Sequence, residues 1–169
     1  MTAPILHTGR LTLRMPKLSD FEHWAAFFAS PRSIHERGMM DRAEAYRHWA
    51  ADVALWPLKG YGAFGLDDRD TGAYVGEVGI YEPEGYPEPE LGWFVIPEAE
   101  GKGFAAEAAR AVMLWARQSF GWDRLVNIID PANHRSIALG LRLGGVIDPD
   151  LPGTDPGDVV IRQDLRGLA

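Results

Sequence analysis

Residues 100 to 121 read EGKGFAAEAARAVMLWARQSFG: two glycines flank a lysine, and a helix of small and apolar residues follows at once. Glycine supports a helix about 1 kcal/mol less well than alanine does. A helix that starts this way gains most if something occupies its first turn. The free N–H groups there and the positive end of the helix dipole attract an anion. Glycines at 101 and 103 let those amides approach it with no Cβ between. The segment predicts a strand-loop-helix unit, with residues 101 to 106 as a cradle for a pyrophosphate. An isolated GxG is also ordinary turn chemistry, so the rest of the chain decides.

Upstream, GRLTLRMP alternates apolar Leu11 and Leu13 with Thr12 and Arg14 and reads as a strand. SDFE offers a capping box, Ser19 to Glu22, before Phe21, Trp24, Ala25 and Phe28 at helical spacing, and Pro31 closes that helix. A second box, Asp41 to Glu44, opens a helix with an Ala45, Trp49, Val53 and Trp56 stripe, stopped by Pro57 and Gly60. YGAFGL, GAYVGEVGIYE and ELGWFVI are then three strands joined by the turns DDRDTG and EPEGYPEPE, which suggests an antiparallel meander. After the glycine helix come a strand at Leu125 to Ile129, a helix from Asn133 to Leu143 stopped by Gly144 and Gly145, a short strand near Val146, and a last strand at Val159 to Gln163. The order is β-α-α-β-β-β-α-β-α-β-β.

Composition narrows the function. The 169 residues suit one domain spanning 1–169. The absence of cysteine removes disulfides, thiolate nucleophiles and cysteine metal sites, and fits a reducing cytosol. The N-terminus lacks the pattern of a signal peptide, and no apolar run approaches membrane-helix length. These features predict a cytoplasmic protein that does not bind membranes. A net charge of −7 argues against nucleic acid as a partner and mildly favours a cationic one. The five histidines show no metal spacing, so no metal is expected.

Gly101, Gly103 and Ala106 also spell G-x-G-x-x-A, with Asp130 closing the next strand, as in a dinucleotide fingerprint for NAD(P). Against it, most of the domain precedes the loop, the upstream strands look antiparallel, and PEAE separates strand from loop where the fingerprint turn is tight.

WFVIPEAEGKGFAAEAARAVMLWA, followed by DPANHRSIALGLRLGG, resembles the GNAT N-acetyltransferases, particularly their RimJ/RimL-like branch. The resemblance runs from about Gly9 to Leu165. It implies an α/β (α+β) acyl-CoA N-acyltransferase fold, with a central, mixed but mostly antiparallel sheet flanked by helices. It also implies acetyl-CoA as cosubstrate, an amine acceptor such as a protein N-terminus or a small molecule, and compatibility with a homodimer. The family loop [QR]-x-x-G-x-[GA] falls on Glu100, Gly101, Lys102, Gly103, Phe104 and Ala105, with Ala106 completing the cradle. The strand before it, at Phe94, Val95 and Ile96, is implied to hold the pantetheine arm, as is Asn133. Ser136 falls where a serine has been proposed to protonate the leaving thiolate. Two departures stand out: Glu100 replaces Gln or Arg, and Gly140 replaces a common catalytic tyrosine. The missing tyrosine keeps a non-catalytic acyl-CoA-binding relative in view.

Acetyl transfer needs a neutral amine, donors for the oxyanion and an exit for the thiolate. Glu90 is the candidate base, with Glu88 as a substitute and Glu77, in mid-strand, on either face. Glu107 reads as a helix-terminus residue. Lys102 and Arg142 are cations within reach of CoA phosphates. His35, Arg37 and Trp24 are candidates for the acceptor wall.

Overall fold

A computed structural model describes residues 3–168. The strand alternation of GRLTLRMP holds, with Leu11 and Leu13 fully buried. It forms β2 (Leu11–Arg14), preceded by a two-residue β1 (Leu6–His7) that the sequence pattern did not reveal. Then follow α1 (Phe21–Phe28), α2 (Arg42–Lys59), β3 (Ala63–Asp68), β4 (Tyr74–Tyr81), β5 (Glu90–Val95), α3 (Phe104–Phe120), β6 (Arg124–Ile129), α4 (His134–Arg142), β7 (Val146–Ile147) and β8 (Val159–Asp164). One sheet holds them in the order β1-β2-β3-β4-β5-β6-β8-β7. Every neighbouring pair is antiparallel except β5 and β6, which α3 connects as a parallel crossover. The antiparallel strands before the glycine loop are not the βαβ unit that a dinucleotide fold requires there.

The alternation of β5 sorts its side chains between two cores. Leu91 points to the face covered by α3, whose Ala108, Ala109, Val112 and Ala116 are small enough for the helix to lie close. Phe94 points to the opposite face and joins Phe21, Trp24, Phe27, Phe28 and Trp49 of α1 and α2. No helix among the described residues is long and apolar enough to cross a membrane.

Two helix-start expectations fare differently. Asp41 caps α2 by accepting from Glu44 N at 2.8 Å. The expected Ser19–Glu22 box does not form, because a 3-10 turn at Leu18–Asp20 leads into α1 instead. Arg14, on the polar side of that alternation, is buried and pulls Asp20 inward, at 2.5 Å. Asp67 holds the other edge of the guanidinium at 2.6 Å. Pro57 does not stop α2. It sits in the last turn, and Gly60, at φ 82°, ends the helix.

Removing one partner of a buried ion pair costs about 3–5 kcal/mol, because the other charge is left stranded. Asp20→Ala is therefore expected to lower the unfolding free energy by about that amount in a urea titration. A loss below about 1 kcal/mol would show that Asp67 alone satisfies Arg14.

Candidate functional site

The site begins where the sheet comes apart. β5 and β6 pair at one register only, Glu90 opposite Val126. Beyond it, Asn127 Nδ2 donates to Leu91 O at 2.5 Å and so occupies a carbonyl that the ladder would have used. Asn127 is itself fixed from below by Gln163 Nε2, at 2.8 Å, and the same nitrogen donates to Gly140 O at 2.9 Å. These buried amide side chains hold the two strands apart.

The gap exposes backbone groups of known orientation. Ile96 N donates to Val75 O at 3.1 Å, so its amide belongs to the β4 ladder. By alternation Phe94, Gly92 and Glu90 also turn to β4, whereas Leu91, Trp93 and Val95 turn to the gap. Of the three residues implied for the strand before the loop, Val95 turns its amide to the gap, as Trp93 does, while the amides of Phe94 and Ile96 turn to β4. Phe94 contributes its ring to the wall instead.

After β5, a 3-10 turn at Pro97–Ala99 delivers the chain to the glycine loop. Gly101 and Gly103 have φ of 73° and 79°, the left-handed region that side chains rarely adopt. Among the described residues, the amides from Gly101 to Ala106 have no hydrogen-bond partner within the protein. They are available to an anion at the N-terminus of α3. The loop is braced from outside. Glu107 accepts from Thr8 Oγ1 at 2.6 Å and from Arg10 N at 2.9 Å, and Arg10 Nη1 donates to Lys102 O at 2.9 Å. Glu107 thus holds the β1–β2 turn against α3.

Glu100, the loop's unusual first residue, does not stand free beside the cradle. It pairs with Arg32 and, at 2.9 Å, with Arg135. Arg32 also donates to Val95 O at 3.1 Å. One carboxylate between two guanidiniums leaves a net positive charge at the mouth. A cleft of about 830 Å³ runs from there along α4, past Arg110 and Arg142, to Ser136. Lys102 is exposed at the loop's outer edge. Free loop amides, flanking arginines and a peptide-like gap fit a group with a pyrophosphate and a pantetheine arm.

On the α1/α2 side a second cleft, about 530 Å³, meets the first at the gap. Its wall includes Trp24, Phe27, Phe28 and Phe94, and its polar groups include Glu36, Asp52, Glu77 and Glu90. Glu90 Oε1 accepts from Ile128 N at 3.2 Å, and burial pushes its carboxyl up to about 8. Burial likewise raises Glu36 to about 7, against an Asn133 Nδ2 donor at 2.9 Å. Asn133 therefore does two jobs, since its Oδ1 caps α4 at Ser136 N. Ser136 Oγ is 3.4 Å from Trp93 Nε1, at the junction of the clefts.

The candidates for the acceptor wall separate. Trp24 is 2% exposed and lines the cleft. His35 also lines it, with Nδ1 3.0 Å from Asp130 Oδ2 across the mouth. Arg37 is turned to Asp52, at 2.8 Å, so its charge is spent inside the protein. Glu88 pairs with Arg124 at 2.5 Å, outside the cleft. At Gly140, a Cβ would meet Ile161 Cδ1 at 2.8 Å and Asn127 Oδ1 at 3.3 Å. The space that a side chain would need there is taken by the braces of the gap.

A family model described as "Acetyltransferase (GNAT) domain" matches residues 10–146. An acetyltransferase structure from Agrobacterium tumefaciens is 39% identical, with a TM-score of 0.92 over 96% of this chain and 95% of that one. An uncharacterized N-acetyltransferase, YoaA, of Bacillus subtilis is 29% identical over 83% of this chain and 82% of its own. A Salmonella typhimurium acetyltransferase that modifies the N-terminal serine of a 50S ribosomal subunit protein shares the fold, with a TM-score of 0.76, 15% identity, and coverage of 95% of this chain and 99% of that one.

Proposed function

The chain belongs to the GNAT acetyltransferase family, and from that premise we propose that it transfers the acetyl group of acetyl-CoA to a primary amine by direct attack. The observation that carries this reading is the parted β5–β6 pair, which joins an amide-lined, arginine-flanked cleft to a carboxylate-lined one. Acetyl-CoA supplies the activated thioester when it is bound.

The residues divide the remaining work. The amides of Gly101 to Ala106 bind the pyrophosphate, and Arg32, Arg135 and Lys102 add positive charge around it. Asn133 and the gap-facing amides of Trp93 and Val95 align the pantetheine arm. One of those amides donates to the oxygen on which negative charge develops. Glu90 accepts the proton that the acceptor ammonium must lose, and a carboxyl near pH 8 is suited to that transfer. The C–N bond forms first, giving the tetrahedral intermediate, and the C–S bond breaks as that intermediate collapses. The departing thiolate leaves either unaided, since thiols ionise near pH 8.5, or with a proton relayed through the Ser136 hydroxyl. Trp24 and His35 wall the acceptor.

Calorimetric titration with acetyl-CoA, with NADH as the parallel ligand, tests the reading. Micromolar binding of acetyl-CoA alone is expected, followed by amine-dependent release of free thiol. NADH binding would overturn the cradle assignment. Acetyl-CoA binding with no thiol release over a broad amine panel would instead leave a non-catalytic binder.

A further inference from the structure

The acceptor cleft contains a carboxyl that the acetyl-transfer steps do not use. Glu77 lies in the middle of β4, is 1% exposed and lines the cleft. Its Oε1 accepts from Tyr81 Oη at 2.8 Å, while Oε2 has no partner among the described residues. A buried carboxylate oxygen left unpaired is costly, so a donor brought in by a ligand would be strongly held. The neighbouring charges do not provide that donor. Arg37 is engaged by Asp52, and burial pushes Glu77 up to about 8.

The sheet register separates Glu77 from Glu90. Glu77 is opposite Phe94 and Glu90 is opposite Tyr81, so the two carboxyls share one face, four residues apart along β4. At about 3.4 Å per residue their backbones stand about 14 Å apart. One nitrogen does not serve both. Phe27, Phe28 and Phe94 line the same cleft, an aromatic wall suited to an alkyl chain and to cations. We propose that Glu77 is a specificity-determining residue whose free Oε2 binds a second protonated nitrogen of the acceptor, making this enzyme's substrate a small diamine or polyamine rather than a protein N-terminus.

This inference rests on the acetyl-transfer reading, and the test keeps the two apart. Steady-state kcat/KM would be compared for putrescine and cadaverine against butylamine and pentylamine, with a Ser-Ala dipeptide as the N-terminal arm. The diamines are expected to exceed the monoamines by about tenfold or more, chiefly through KM, and Glu77→Gln is expected to collapse that ratio. Equal values for diamine and monoamine, a preference for the dipeptide, or a ratio retained in Glu77→Gln would each overturn the inference while acetyl transfer stands. The wild-type comparison holds even if the variant folds poorly. If no amine is acetylated, calorimetry on CoA-saturated protein decides. Binding of putrescine in preference to butylamine supports the inference, and absence of putrescine binding overturns it.

Discussion

Gly103→Val is expected to abolish measurable acetyl-CoA binding, raising Kd by at least about a hundredfold. Space is not the reason, since the nearest atom to a Cβ at Gly103 is Arg10 Nη2 at 3.6 Å. The reason is conformational. Gly103 sits at φ 79° immediately before α3, and a β-branched residue there would rotate the peptide to recover an allowed φ. That rotation would turn the loop amides away from an anion bound at the N-terminus of α3. Calorimetry with acetyl-CoA reads the effect, with a thermal melt showing that the fold persists. Affinity within about threefold of wild type would mean that the loop is architecture only.

Glu90→Gln has the largest expected effect on turnover, a fall in kcat of about 10²- to 10⁴-fold at pH 8. The sign with pH follows from the raised carboxyl. A general base works only when ionised, so with Glu90 in that role the wild-type rate is expected to fall as pH drops below about 8. In the variant that limb disappears. The residual rate then tracks ionisation of the acceptor itself, near pH 10.4 for an alkylamine. A variant whose profile still bends near pH 8 would remove Glu90 from the proton transfer. Glu36, raised to about 7 on the opposite wall, would then be the carboxyl to replace next.

The meander, the crossover helix and the glycine loop were legible in sequence because each rests on a local pattern. β2 shows period-two alternation, β5 is a short β-rich run bounded by turn residues, α3 shows a helical stripe, and Gly101 and Gly103 mark a conformation few other residues adopt. Glu90 was singled out by its place at the head of a strand, and it lines the cleft. What stayed hidden depends on partners distant in the chain. Arg14 looked like the polar side of a strand until Asp20 and Asp67 closed around it. Glu100 stood out only as a departure from the loop pattern, because its partners Arg32 and Arg135 are 68 residues before and 35 after it. Asn127 and Gln163, which part the sheet, carry no local signal at all. Which amides of Phe94, Val95 and Ile96 face outward could not be read from sequence, because only the Ile96–Val75 hydrogen bond fixes which half of β5 turns to the gap.

A sheet interrupted between β5 and β6 also has a mechanical reading. Five strands lie on one side of the seam and three on the other, with one register of pairing between them. A cosubstrate lying in that seam would act as mortar, completing main-chain contacts that the polypeptide leaves unmade. Its binding energy would then also become cohesion between the two blocks, worth about 2.7 kcal/mol at a hundred times Kd. A product that kept those contacts after turnover would still tie the two blocks together, and the slow step of the cycle would then be the loosening that lets it leave.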